Sequence, residues 1–364
     1  MIVSLTNWEG LRDLNSFERI MSILNRRKME VDRLPAFNSV GTYTIDGMNV
    51  FDAHWPEAHK SPEKMAKLGS ALHRLANLES AVVPFELTLE AEALGAPIEF
   101  FDDKIKWPTA KKFVAKTVRD LKLPSEPSEI IHEGRVPVVC EAIRILKREF
   151  EGVIPVIAYV CCPFESISSY LMDSMEFFKK CKSEPETIHE FMRATTPYYS
   201  EIAKAYKEAG ADIITFREET VSLNNIHPKY FDDLVKPYLK DLIRQVKPPR
   251  ILHACGQLYS PSLEIISKLV ECGAEALTLE ESTPMDKARQ IVDGITTDYP
   301  LGGNIGSYRI IHQGSREEIV EMVQSAIKQG SDMPMPGCDF WLETPTKHVR
   351  AFVDAVQLYD LGES

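Results

Sequence analysis

The stretch RILHACGQLYSPSLEIISKLVECG, residues 250–273, carries the pattern on which the fold prediction rests. Its first five residues, RILHA, contain a short apolar run typical of a buried strand. The segment that follows spaces its apolar side chains three and four residues apart, as on one face of a helix. Ser260 can cap this helix at its start, and Gly273 can end it. The stretch therefore predicts one strand followed by one helix.

The same signals recur along the chain. In SREEIVEMVQSAIKQG, Ser315 can cap a helix and Gly330 can end it. The predicted strands are AVVPFEL (81–87), VIPVIAYV (153–160), DIITF (212–216), RILHA (250–254), EALTL (275–279), YPLGGNI (299–305) and DMPMPG (332–337). Strands that alternate with amphipathic helices indicate βα units around a parallel sheet. The prediction is an α/β fold of the (β/α)8, or TIM-barrel, type.

The N-terminal part of the chain is less regular than the rest. Residues 1–80 are predicted to form a helical extension to the barrel. Residues 100–130, which begin with the charged stretch FFDDKIKWPTAKK, are predicted to form an excursion over one mouth of the barrel. No Gly/Ser-rich linker or short internal repeat is apparent. We therefore expect residues 1–364 to form a single domain.

Composition excludes several classes of partner. The 364 residues carry a net charge of -12, and no clustered positive surface is apparent that would bind nucleic acid or an anionic membrane. The longest apolar stretch, VIPVIAYVCC at 153–162, is shorter than the roughly 20 residues of a membrane-spanning helix. The N-terminus lacks the basic start and apolar centre of a signal peptide, and seven cysteines without regular spacing fit a reducing compartment. We expect a cytoplasmic protein.

Three residues at predicted strand ends could hold a metal ion. His253 and Cys255 lie where one strand ends, and residues two apart in an extended chain point the same way. Cys338 follows another strand, and the C-terminal strand ends of a barrel converge on one face. One imidazole and two thiolates suit zinc, with a fourth position left for an exchangeable group. The alternative is that all three are ordinary buried residues, because the spacing is weaker than a paired Cys-x-x-Cys signature.

Several stretches together resemble a known family. They are HWPEAHKSPEKMAKL (54–68), FELTLEAEALGAPIEF (85–100), GRVPVVCEAIRILK (134–147), ILHACGQ (251–257) and MPGCDFWLETPTKHVRAFVDAV (335–356). The chain is thereby similar to the zinc-dependent cobamide methyltransferases, such as the methylcobamide:coenzyme M methyltransferases, within the uroporphyrinogen decarboxylase superfamily. Their hallmark is His-x-Cys followed much later by Cys, which His253, Cys255 and Cys338 match. The resemblance implies a (β/α)8 barrel, a zinc cofactor, and a corrinoid carried by a partner protein.

The decarboxylase branch of the superfamily fits the sequence poorly. Its members carry an arginine-rich segment near the N-terminus that holds the propionates of the porphyrinogen. The corresponding stretch here, LPAFNSVGTYTIDG (34–47), contains no arginine. Several substrate carboxylates would find no charged partner there.

Two methyl transfers use such a zinc site. In one, a thiol loses its proton and its sulfur attacks the methyl group on methyl-cobalt(III). In the other, cobalt(I) takes the methyl group of a methyl ether. The sequence departs from the coenzyme M branch at Arg217–Glu219 and at Asp339–Trp341. Carboxylates would repel a sulfonate, and Phe340 and Trp341 could stack on an aromatic ring. These departures favour O-demethylation of a methoxylated aromatic compound, and the alternative is a methylcobamide:thiol methyltransferase.

Further polar residues lie at predicted strand ends. Glu218 is a candidate acid, base or fourth zinc ligand, whereas Glu219 can instead pair with Arg217. Glu280 is a second catalytic candidate and could orient His253, and Asn304 is a candidate substrate-binding residue at the barrel mouth. The other class of hypothesis is a non-catalytic, corrinoid-binding subunit, which the intact His253 and cysteines disfavour. The glycine spacing matches no nucleotide-binding pattern.

Overall fold

The computed structural model describes residues 13–258 and 264–359. Its strands are β1 (Ala81–Val83), β2 (Ile98–Glu99), β3 (Thr109–Ala110), β4 (Val156–Cys161), β5 (Ile213–Glu218), β6 (Arg250–Ala254), β7 (Ala276–Leu279) and β8 (Leu301–Gly303). Its helices are α1 (Ser16–Leu24), α2 (Ile45–Phe51), α3 (Pro62–Gly69), α4 (Ala71–Ala76), α5 (Leu89–Ala93), α6 (Val136–Phe150), α7 (Pro163–Ser166), α8 (Ser174–Ser183), α9 (Pro185–Ala209), α10 (Pro228–Tyr230), α11 (Lys236–Arg244), α12 (Glu264–Val270), α13 (Met285–Asp293), α14 (Arg316–Lys328) and α15 (Thr346–Gln357).

The helix signals in the sequence are confirmed where the structure describes them. Ser315 caps α14 through a reciprocal capping box with Glu318, and Gly330 takes the left-handed conformation just beyond it at φ 102°. The predicted cap at Ser260 lies outside the described residues, and α12 is described from Glu264 onward. Within the described ranges, the structure contains no helix long and apolar enough to cross a membrane.

A curved parallel sheet forms most of the barrel wall. Six strands follow one another in the order β1-β4-β5-β6-β7-β8. A seventh position follows β8, because Gly302 forms a parallel bridge with Met333 and Ile305 forms one with Pro336. Helices lie between successive wall strands in the chain, as the sequence pattern predicts. The α/β barrel prediction is confirmed.

A segment without regular secondary structure, residues 36–40, closes the wall between its first and last strands. The backbone N–H of Glu79 donates to the carbonyl of Ala36 at 2.8 Å, and the Ser80 hydroxyl donates to the carbonyl of Asn38 at 2.8 Å. On the other side, Nδ2 of Asn38 donates to the carbonyl of Cys338 at 3.2 Å. The eighth position of the barrel therefore comes from the part of the chain for which the sequence predicts a helical extension.

Strand register decides which side chains point into the barrel. Arg217 pairs with His253, and His253 pairs with Thr278. Paired residues of parallel strands point to the same face, so these three side chains share the interior. Their neighbours in the chain point outward, and Ala254 accordingly packs in the apolar layer between sheet and helices. The same alternation places Glu218, which pairs with Ala254, on the outer face.

A group of aromatic rings lies beside the mouth of the barrel, next to the hairpin β2–β3. His59 is fully buried there, with its ring 4.6 Å from that of Trp55 and 5.8 Å from that of Phe85. Neither ring nitrogen of His59 has a hydrogen-bond partner among the described residues. Burial lowers the pKa of His59 to about 3, with Arg135 and Lys60 acting in the same direction and Glu86 opposing them.

We expect the closure at Asn38 to be needed for stability. Asn38 is fully buried and its side chain also bonds the backbone of Gly41 and Val40, so Asn38→Ala leaves several buried polar groups unpaired. The expected loss of unfolding free energy is about 2–3 kcal/mol, measured by urea denaturation. Asn224→Ala, at an exposed loop position, is the control and should change stability by less than about 0.5 kcal/mol. Equal stability of the two variants would contradict the closure.

We expect His59 to make the fold sensitive to acid. Its pKa is about 6.5 in the unfolded chain and about 3 in the fold, so only the unfolded state binds a proton as the pH falls through this window. Stability is then lost at up to about 1.4 kcal/mol per pH unit. His59→Leu should remove this contribution, seen as a shallower dependence of the unfolding midpoint between about pH 6.5 and 4. His132→Leu, at an exposed site, should keep the parent slope, and an unchanged slope in His59→Leu would refute the assignment.

Candidate metal centre

The centre of the site is the imidazole of His253 at the end of β6. The side chain is fully buried, and Nδ1 lies 2.9 Å from the hydroxyl oxygen of Thr278 on the neighbouring strand. Nε2 is buried and has no hydrogen-bond partner among the described residues. Burial, followed by the positive charge of Arg217, lowers the pKa of His253 well below its usual value. The ring is therefore neutral, and its free nitrogen lone pair is available to a metal ion.

Two cysteines and one glutamate lie close to this imidazole. The ligating atoms of Glu219, His253, Cys255 and Cys338 all lie within 4.8 Å of one another. The structure thus brings together the three residues that the sequence predicts as zinc ligands. It adds Glu219, the residue for which the sequence predicts only a pairing with Arg217.

Strand alternation explains why Glu219 lies in the cluster and the predicted candidate Glu218 does not. Glu218 points away from the barrel interior, where its Oε1 accepts a hydrogen bond from the Thr220 hydroxyl at 2.8 Å and its Oε2 has no partner in the described chain. Burial raises the pKa of Glu218 to about 8. Glu219 faces inward, and its backbone N–H donates to the carboxylate of Glu165 at 2.6 Å. The position beside the two sulfur atoms therefore belongs to Glu219, and Glu218 lies outside the cluster.

Arg217 lies beneath the cluster and connects its charged members. The guanidinium is 2% exposed and donates to Glu219 at 3.0 Å and to Asp339 at 2.9 and 3.1 Å. One of its nitrogens also lies 3.6 Å from Sγ of Cys338, and the group stacks over the ring of Tyr159 at 4.8 Å. The predicted pairing of Arg217 with Glu219 is present. The Arg217 guanidinium therefore joins Glu219 of the cluster to Asp339 beside it.

The donor set fits a zinc ion. A hydrogen bond with Cys255, burial and the carboxylates of Glu219 and Asp339 all raise the pKa of Cys338 well above its usual value. A thiolate at this position therefore requires a compensating cation beyond Arg217. One imidazole nitrogen, two sulfur atoms and one carboxylate are the ligand types that zinc takes in tetrahedral sites. The unpartnered Nε2 of His253 leaves a nitrogen donor available to such an ion.

Close backbone approaches make room for this arrangement. A Cβ atom at Gly41 would lie 2.1 Å from a carboxylate oxygen of Asp339, so only glycine leaves space for that side chain. At Gly256, which follows Cys255 at φ 82°, a Cβ atom would lie 2.7 Å from the Ser222 side chain. Gly41 and Asn38 both lie in the stretch at residues 34–47, which therefore supports Asp339 and Cys338.

A cavity of about 340 Å³ opens above the sulfur atoms. Cys255 and Cys338 lie at its floor, and Glu280 and Glu281 line it near the end of β7. Half of its remaining lining residues are aromatic, and the rings of Trp107 and Tyr308 lie 6.3 and 4.8 Å from that of Trp341. A small molecule entering the cavity can reach the metal-binding atoms.

The other predicted site residues have mixed positions. Trp341 lines the cavity and is 41% exposed, whereas the Phe340 ring, although at the cavity wall, packs against Phe352 at 6.1 Å. Glu280 lines the cavity and accepts bonds from Ser282 and Thr283, so the group that orients His253 is Thr278 and not Glu280. Asn304 is half-buried and donates its amide to the carbonyl of Thr283.

Sequence reasoning missed several members of the site. Glu219 needed only the alternation rule, because it shares its face with Arg217 and His253. Thr278 is the polar residue inside the apolar run EALTL, which was a usable signal. Trp107 and Tyr308 lie in segments remote in sequence from the cysteines, and nothing in their spacing connects them to the cavity.

Comparison with known proteins gives a consistent result. The family model described as Uroporphyrinogen decarboxylase (URO-D) matches residues 15–359. The methylcobamide:CoM methyltransferase MtbA of Methanosarcina acetivorans is 29% identical over 336 residues, which cover 92% of this chain and 95% of that protein. A methylated-thiol–coenzyme M methyltransferase of Methanosarcina mazei is 26% identical, with coverages of 89% and 85%. The solved structure of a methyltransferase from Methanosarcina mazei superposes with a TM-score of 0.85 at 28% identity, covering 95% and 99%.

We expect one zinc ion per chain, bound by His253, Cys255 and Cys338. Cys338→Ser or His253→Ala should abolish stoichiometric zinc in purified protein, measured by atomic emission. Glu219→Gln should weaken zinc binding by roughly 10- to 100-fold in chelator competition, since it removes one negative ligand. Glu218→Gln, one residue away on the outer face, is the matched control and should bind zinc like the parent. Loss of zinc in Glu218→Gln with retention in Glu219→Gln would contradict the site.

Proposed function

This chain belongs to the uroporphyrinogen decarboxylase family, and on that premise we propose that it transfers a methyl group from the cobalt of a corrinoid protein to the sulfur of a small thiol. The observation that carries the proposal is the cluster of His253, Cys255, Cys338 and Glu219 at the floor of an open cavity. This cluster supplies the metal-binding atoms that activation of a thiol requires. The names of the similar methyltransferases, which act on methylcobamide, coenzyme M and methylated thiols, support the same reaction.

Each residue has a defined task in this reaction. His253, Cys255 and Cys338 would hold zinc, and zinc would supply the positive charge that favours the thiolate form of an incoming thiol at neutral pH. Thr278 orients the imidazole of His253. With zinc bound, Glu219 would be the ligand that an entering sulfur could displace, because Arg217 already donates to its carboxylate and would retain it. The proposal therefore includes exchange of a carboxylate for a thiolate.

The chemical balance of the transfer is simple. The cobalt–carbon bond breaks and its electron pair remains on cobalt, which becomes cobalt(I). A sulfur–carbon bond forms, and the proton of the thiol leaves to solvent or to a carboxylate. No redox partner beyond the corrinoid is needed. A cavity floored by the two cysteine sulfur atoms and open to solvent gives the methyl group access from outside.

Two other activities are less well supported. The sequence favours O-demethylation of a methoxylated aromatic compound, partly on carboxylates that the structure shows paired with Arg217. The names of the relatives support the thiol reaction better. Porphyrinogen decarboxylation would need cations for the substrate carboxylates, and the stretch at 34–47 supplies none. We propose no role in transfer for Glu218 or Asn304.

We expect the zinc-loaded chain to consume methylcobalamin when 2-mercaptoethanol is added. The loss of the methyl-cobalt absorbance measures this reaction. Cys338→Ala should lower the rate by more than roughly 100-fold, because even outer partners of metal ligands are worth up to that. Glu218→Gln is the control and should retain activity. The same protein supplied with cobalt(I) corrinoid and a methoxyarene should form no methyl-cobalt. Methyl-cobalt formation from the ether, without thiol-dependent loss, would establish the O-demethylase instead.

A further inference from the structure

The cavity above the sulfur atoms has an unusual balance of charge for a site that would accept an anionic thiol. Glu280 and Glu281 line its wall, and Asp339 lies at its floor beside Cys338. Among the described residues that line it, none is a lysine, an arginine or a histidine. The nearest buried cation, Arg217, lies below the floor and is bonded to Glu219 and Asp339. A zinc ion held by two thiolates contributes no net positive charge. The space that a substrate enters is therefore negative.

The aromatic part of the cavity reinforces this charge. Trp341, Tyr308 and Trp107 form a continuous group, with ring centroids 4.8 and 6.3 Å apart. The first two rings are 41% and 45% exposed, so they are available to a ligand. Aromatic faces attract organic cations, best when the cation is weakly hydrated. Rings and carboxylates in one wall are the combination by which proteins recognise ammonium groups.

We propose that the methyl acceptor of this site is a small thiol whose other end carries an ammonium group. This inference rests on the proposed thiol methyltransferase function and specifies its substrate. The sulfur reaches the floor at Cys255 and Cys338, and the ammonium group lies against Trp341 and Tyr308 with Glu281 beside it. A sulfonate in the same position would meet these carboxylates, and no lysine or arginine among the described lining residues could pair with it.

Glu281 is the residue best suited to a mutational test of this inference. Its side chain is exposed, and its one described hydrogen bond is from the backbone N–H of Ser307 at 2.8 Å. A glutamine there can still accept that bond while losing the charge. Glu281 is outside the metal-binding cluster, so its replacement leaves the metal ligands intact. Glu317, exposed on the outer helix α14, offers a control that removes an equal charge away from the cavity.

The first experiment compares three thiols that share a two-carbon spacer: 2-aminoethanethiol, 2-mercaptoethanol and 2-mercaptoethanesulfonate. The rate of methylcobalamin consumption by the zinc-loaded protein is expressed per thiolate, so that differences in thiol pKa cancel. We expect kcat/KM to fall in that order. Glu281→Gln should lower kcat/KM for the ammonium thiol by roughly three- to fivefold and leave the neutral thiol within about twofold, the size expected of a partly exposed charge pair. Glu317→Gln should change neither value.

A second measurement keeps this inference separate from the methyl transfer itself. Choline and isethionate carry the trimethylammonium and sulfonate groups without a thiol, and calorimetry measures their binding to the zinc-loaded protein. We expect choline to bind, and to bind more weakly to Trp341→Leu and Glu281→Gln, whereas isethionate should not bind. If no thiol consumes methyl-cobalt, the proposed function fails. Choline binding still shows whether the cavity prefers an organic cation. Tighter binding of isethionate, or no binding of either compound, overturns the inference.

Discussion

The register between β5, β6 and β7 is the constraint on which the whole site depends. It places Arg217, His253 and Thr278 at one level on the interior face of the barrel. From that level the chain continues by two residues in each case, to Glu219 after Arg217 and to Cys255 after His253, so both return to the same side. A shift of register by one residue would turn His253 toward the helices and bring Glu218 inward. The closure at Asn38 then supplies Cys338 from the far edge of the wall.

Charge compensation is the second feature that organises the site. A buried arginine needs partners, and Arg217 finds them in Glu219 and Asp339, with Cys338 sulfur nearby. This arrangement orients Glu219 without requiring a metal ion, and it leaves the carboxylate free to exchange between a guanidinium and a metal. The same pairing offsets part of the negative charge that Glu219 and Asp339 bring to the cavity. Glu280 and Glu281 remain as the charges that a substrate meets.

Local pattern predicts the barrel and the convergence of three candidate metal ligands, and the family resemblance adds the expectation of zinc. RILHA is a strand over the same five residues in the structure, and His253, Cys255 and Cys338 converge as strand ends of a barrel must. The eighth wall segment at 36–40 was not predictable, since its residues have neither strand alternation nor helical periodicity. The choice between Glu218 and Glu219 depended on which strand face is internal. The aromatic wall joins a hairpin residue, Trp107, to residues some 200 positions later, and no local signal connects them.

In the proposed reaction, a thiol would reach a zinc ion held at this site by replacing Glu219. The most direct test is X-ray absorption at the zinc edge, recorded on the zinc-loaded protein before and after addition of 2-aminoethanethiol. The account predicts two sulfur neighbours at about 2.3 Å with nitrogen and oxygen neighbours at first, and three sulfur neighbours with one oxygen fewer once the thiol is bound. A zinc environment that the thiol leaves unchanged, or one without two sulfur neighbours at the start, would contradict it.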